Sequence, residues 1–152
     1  MGRIEYDESV TGTEIALQVG RERRTIRGKR GHAFLVRLEQ ALLDMSPRQL
    51  IVDQLCDEEG KVCALGLMAR KALLDQGLTY AEANGILWDK AYCDPEEYAI
   101  EHLNISRTLA WLVMEANDDP EAALVRTPEQ RWRYVHDQVC KMVRGEGVDR
   151  LP

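Results

Sequence analysis

Apolar residues recur at helical spacing along most of this chain. Phe34, Leu38, Ala41, Leu42 and Met45 follow one another at intervals of four, three, one and three, the face of an amphipathic helix beginning near His32. A shorter helix from Thr13 is expected before it, with Ile15, Ala16, Val19 and Ile26 on its apolar side and Gly20 as its weak point. Between Thr79 and Cys93 the spacing of Tyr80, Ala83, Leu87 and Ala91 predicts another, broken by Gly85. Asp94-Pro95-Glu96-Glu97 then supplies a cap, a first-turn proline and a glutamate at the capping-box position. That helix runs to about Leu103, where Asn104 tolerates the left-handed backbone that ends a helix, and Ser106 caps the next. Leu109, Ala110, Val113 and Met114 line this one until Asn117-Asp118-Asp119-Pro120 stops it. Thr127-Pro128-Glu129-Gln130 starts the last helix, whose inner face is Trp132, Val135, Val139, Met142 and Val143, with Gly145 beyond its end.

The segment from Pro47 to Gly66 reads two ways. Its β-branched residues and the turn Asp57-Glu58-Glu59-Gly60 suit a hairpin, whereas Ser46-Pro47 and the run Ala64 to Leu74 suit a helix–turn–helix pair. Helices are the favoured reading. The expected fold is therefore all-α, a compact single-domain bundle of five to seven short helices over residues 13–152, with a small β-hairpin around residues 50–65 as the alternative. Residues 1–12 show no periodicity and are expected to be poorly ordered.

Composition agrees with an ordinary globular protein: 152 residues, 45% hydrophobic and 30% charged, are enough for one domain with a real core. No run approaches the roughly 20 apolar residues that span a bilayer, and the N-terminus lacks the apolar stretch of a secretion signal. A cytoplasmic protein with no membrane partner is expected. Cys56, Cys63, Cys93 and Cys140 are scattered among apolar neighbours and read as reduced core thiols.

Charge changes the picture more. Six of the ten residues from Arg21 to Arg30 are basic and one, Glu22, is acidic, so this segment carries +5 on a chain of net charge −6 and leaves −11 for the remainder. Within it, Arg24, Arg27, Gly28, Lys29, Arg30 and Gly31 run into a helix start. Free N–H groups there, glycines that permit close approach and flanking cations together suit a phosphate, a carboxylate or an acidic surface. Arg131, whose planar fork suits bidentate phosphate binding, is the expected second contact. The competing reading is a network of salt bridges with the protein's own excess acid.

Other chemistry finds little support. The cysteines lack the close pairs of a zinc site, and the residues three before His32, His102 and His136 are Lys29, Ala99 and Arg133, which rules out the carboxylate-histidine pairs of a di-iron bundle. No metal or other cofactor is expected. Nucleophile elbows, Walker loops and dinucleotide fingerprints are absent as well, so no catalytic residue is assigned and the protein is read as a non-enzyme. Residues Tyr98 to Val113 resemble a DNA-binding helix-turn-helix, which would put Ser106, Arg107, Thr108 and Trp111 at the DNA. Arg107 is the lone base of that helix, which weakens the electrostatic case.

Arg27-Gly28-Lys29-Arg30-Gly31 with Phe34-Leu35, Val62-Cys63-Ala64-Leu65-Gly66, Asn117-Asp118 and Thr127-Pro128-Glu129-Gln130-Arg131-Trp132 together resemble a family of small uncharacterised proteins of tailed bacteriophages and prophages. The resemblance covers about two thirds of the length, while Lys71 to Tyr92 looks longer than usual in that family and His32 stands where glutamine is commoner. It implies a phage origin and no particular reaction. Accessory phage proteins commonly work by binding, so a host protein or defence component is the expected partner, with a nucleic acid, a nucleotide or a second copy of the chain as alternatives.

Overall fold

Phe34, Leu35, Leu38 and Leu42 are all buried, and they fall on one side of a helix because positions three and four apart share a face. The same logic, repeated, builds the molecule. The computed structural model describes residues 12–119 and 125–146, which form a bundle of seven helices: α1 (Gly12–Arg27), α2 (Lys29–Leu43), α3 (Ala64–Asp75), α4 (Tyr80–Asp89), α5 (Pro95–His102), α6 (Arg107–Asp118) and α7 (Pro128–Val143). All-α architecture is as expected, and the expectation for residues 1–11 lies outside the described residues. Helix α1 is longer than its periodicity suggested, and of its expected apolar side Ile26 is buried while Ala16 is exposed.

Helix α6 is the centre of the bundle. From Leu109 to Asp118 every residue except Glu115 is buried, and α1, α3, α5 and α7 all pack on it. Helix α2 lies against α1, α3 and α7, and α4 is carried on α3. Each Leu, Phe or Met removed from water here contributes about 1.5–3 kcal/mol of transfer free energy, before the entropy of ordering is set against it.

Helix starts follow the expected chemistry with one correction. The Thr127 hydroxyl accepts from the Gln130 N–H at 3.1 Å and Gln130 returns the bond to Thr127 N–H at 2.9 Å, while Thr79 and Glu82 form a second such box. Asp94 caps α5 by accepting from the Glu96 N–H at 3.0 Å. Glu97, however, turns away from the cap to pair with Arg107.

The larger correction concerns residues 44–63. Ser46-Pro47 starts no helix; the chain runs irregularly, with bends at Ser46-Pro47 and Val52-Asp53, to the turn Asp57–Gly60, and Cys56 and Val62 form an isolated antiparallel bridge. The buried positions Leu50, Leu55, Cys56 and Val62 have no helical period; Ile51 N–H donates to the Val62 carbonyl at 3.0 Å, and other backbone groups along the segment are satisfied from far away. Asn117 Nδ2 donates to the Ile51 carbonyl at 2.8 Å, and its Oδ1 accepts from Ala64 N–H at 2.9 Å. Arg131 Nη1 donates to the Leu50 carbonyl at 2.9 Å, and Asp118 accepts from Asp53 N–H at 3.3 Å.

This loop is pressed onto α3 at Gly66, where a Cβ would overlap the Leu55 carbonyl. Gly85, inside α4, faces open space. Gly66→Ala is expected to lower the urea unfolding midpoint, at a cost of about 1–3 kcal/mol or more for the forced shift. Gly85→Ala is expected to raise it, by up to about 1 kcal/mol, since only helix propensity changes. Equal effects from the two substitutions would contradict the packing described.

Candidate binding site at the junction of α1 and α2

Helix α1 ends at Arg27 and α2 begins at Lys29, with Gly28 between them in an extended conformation at φ −65° and ψ 150°. The Gly28 N–H donates to the Arg24 carbonyl at 2.8 Å and the Gly28 carbonyl accepts from His32 N–H at 2.8 Å. A Cβ at Gly28 would lie 2.8 Å from the Arg24 carbonyl, and one at Gly31 would overlap the Thr25 carbonyl. The close approach that the glycines permit is thus between two helix ends, and this corrects the expectation that they make room for an anion.

Three of the basic side chains are tied down, and to carbonyls rather than carboxylates. Arg27 Nη2 donates to the Gly145 carbonyl at 3.3 Å, and His32 Nε2 lies 3.1 Å from the Val143 carbonyl, both at the end of α7. Arg30 Nη2 donates to the backbone carbonyl and the Oδ1 of Asn104, at 2.7 and 2.9 Å. Asn104 follows α5 with φ +54°, the left-handed turn expected of it. Cations at these helix ends offset the exposed carbonyls there.

Arg21, Arg23, Arg24 and Lys29 are exposed and, among the described residues, make no side-chain hydrogen bond, ion pair or ring contact. Glu22, the single acid of the segment, is turned inward and accepts from Gln18 at 3.4 Å. The expected alternative, a salt-bridge network with the protein's own acid, is therefore not what these four residues do.

Beside them opens a cleft of about 480 Å³ between the α1–α2 junction and the start of α6. Arg24, Gly28, Lys29, Arg30 and Gly31 line one side, and Asn104, Ile105, Ser106 and Leu109 the other. The fold thus joins the basic loop to Ser106, which the sequence had assigned to a different reading. Asn104, Ile105 and Leu109 were missed, because their part in the cleft depends on how α6 packs. At the other end of α6 a cavity of about 410 Å³ is lined by Asp53, Asp94, Glu96 and Asp118, so charge separates along the central helix.

Arg131 does not join the basic cleft. Trp132 Nε1 donates to the Leu42 carbonyl at 3.0 Å, which puts the start of α7 at the far end of α2, about 22 Å of helix from Gly28. Arg131 is buried there, donating to the Leu50 carbonyl and, at 3.2 Å, to that of Arg126. Burial lowers its pKa from the ordinary arginine value.

Of the residues that a helix-turn-helix would put at the DNA, Trp111 is 6% exposed, on a helix that α1, α3, α5 and α7 pack against, whereas a reading helix offers a face to the groove. Arg107 and Ser106 are exposed, but Arg107 is held by Glu97, whose carboxyl that hydrogen bond keeps below its usual range.

Among the described residues no cluster of three or more His, Cys, Asp or Glu is placed to hold a metal ion, and no helix is long and apolar enough to cross a membrane. Compared with known proteins, the chain matches no family model, no curated protein and no solved structure.

Three of the four thiols are held in their protonated form by burial. Burial pushes Cys63 up to about 12, and raises Cys56 and Cys140 as well. Cys140 Sγ lies 3.5 Å from His136 Nε2, but that imidazole is stacked on Trp132 with centroids 4.9 Å apart. Cys93 is exposed, Cys140 half-buried, and Cys56 and Cys63 buried. A thiol reagent at pH 8 is therefore expected to modify Cys93 first and Cys56 and Cys63 only in denaturant. Rapid labelling of Cys63 in the folded protein would contradict this burial.

Proposed function

We propose that this protein acts without catalysis, by stoichiometric binding of an acidic partner through the exposed cations of α1 and the α1–α2 junction. The observation that carries this reading is that Arg21, Arg23, Arg24 and Lys29 have no counter-charge among the described residues on a chain of net charge −6. A protein with so much acid of its own has ample means to neutralise four cations. Leaving them bare keeps a local positive field that steers a negatively charged partner and fixes its orientation. The resemblance to small phage and prophage proteins, in which binding is the common mode of action, supports a host protein as that partner.

Charge reversal tests the reading cleanly, because these side chains hold nothing else in place. The variant Arg21→Glu, Arg24→Glu, Lys29→Glu is expected to keep the wild-type melting temperature and helical circular dichroism. Capture from host lysate with wild-type protein is expected to return a partner at roughly equal amounts, released by raising salt from about 0.05 to 0.5 M as the Debye length falls. A partner retained equally by the reversed variant, or none at low salt, would count against the basic face.

A further inference from the structure

We infer that the cleft beside the basic face is a binding site for a small phosphate monoester carrying an apolar body, of mononucleotide size. This rests on the reading that the face recognises anions and goes further in naming the ligand class. Three observations carry it. The first is the supply of cations: Arg24 and Lys29 line the cleft and have no side-chain partner among the described residues.

The second is Arg30, which lines the same cleft with its guanidinium held in place. Both of its bonds to Asn104 use Nη2, and the Nε and Nη1 donors are left over. A guanidinium fixed at one nitrogen and open at the others is prepared for the forked contact that a phosphate accepts, with little ordering entropy left to lose. Arg27, by contrast, is turned to Gly145 and is not part of the lining.

The third is the shape and floor. At about 480 Å³ the cleft falls within the range of about 300–1,000 Å³ typical of small-molecule sites. That is far more room than a bare phosphate needs. Ile105 and Leu109, both buried, back the cleft opposite the cations, so that an ester with an apolar moiety lies against an apolar floor while its phosphate meets the arginines. A plain carboxylate or inorganic anion uses only half of these features.

The experiment is calorimetric titration and thermal melting of the full chain with adenosine 5′-monophosphate, guanosine 5′-monophosphate, adenosine and inorganic phosphate. A saturable 1:1 heat and a rise in melting temperature are expected with at least one mononucleotide, a weaker response with phosphate, and none with adenosine. Arg24→Gln with Lys29→Gln is expected to melt as the wild type does and to weaken mononucleotide binding by about tenfold or more for each cation removed. Arg30→Ala is expected to abolish binding, and the double variant keeps the test valid if that change disturbs Asn104. No response to either mononucleotide at millimolar concentration overturns the inference, as does adenosine binding equally well or the double variant binding unchanged. If lysate capture still depends on charge at Arg21, Arg24 and Lys29, the small-ligand inference fails alone and the binding role stands.

Discussion

Asn117, Asp118 and Arg131 tie down a segment that no helix holds, adding hydrogen bonds from α6 and α7 to the few that the segment makes within itself. Residues 44–63 cross the bundle without forming a helix, and a buried backbone group left unmatched costs about 1–3 kcal/mol. Three side chains from α6 and α7 meet Leu50, Ile51, Asp53 and Ala64 instead. The placing of α3 follows from this, since its first N–H is the one Asn117 accepts, and its Gly66 is seated on Leu55. With α3 and α7 fixed against the loop, α2 is held between them, and its junction with α1 sets the basic face.

Local chemistry announced the elements whose determinants are local. Thr127-Pro128 and its returning Gln130, Asp94 with its proline, and the left-handed Asn104 are all where short-range capping rules put them. The loop after Ser46 was misread because what decides it lies 53 to 66 residues away at Asn117, and no window of neighbouring residues contains that information. Glu97 was misread for a similar reason: its competing partner, Arg107, belongs to the next helix.

The site was half legible. A concentration of cations shows in the sequence, but whether they are neutralised is a property of packing, which turns Glu22, the one acid among them, inward. Gly28 and Gly31 were correctly singled out for close approach, yet the approaching group is the last turn of α1. Arg131 followed the same logic to the wrong place, since a guanidinium that reaches two backbone carbonyls from inside the core looks no different in sequence from one that waits for a ligand.

Two sets of arginines in this protein thus stand at opposite extremes of freedom to change. Arg131 is built into the interior, so any replacement must solve a folding problem first. Arg21, Arg23 and Arg24 project from a helix whose packing is carried by other residues, Ile26 among them. Substitutions along that outer face change what the surface meets and leave the scaffold intact. This separation of surface from scaffold makes the α1 face the natural place to alter the protein by design.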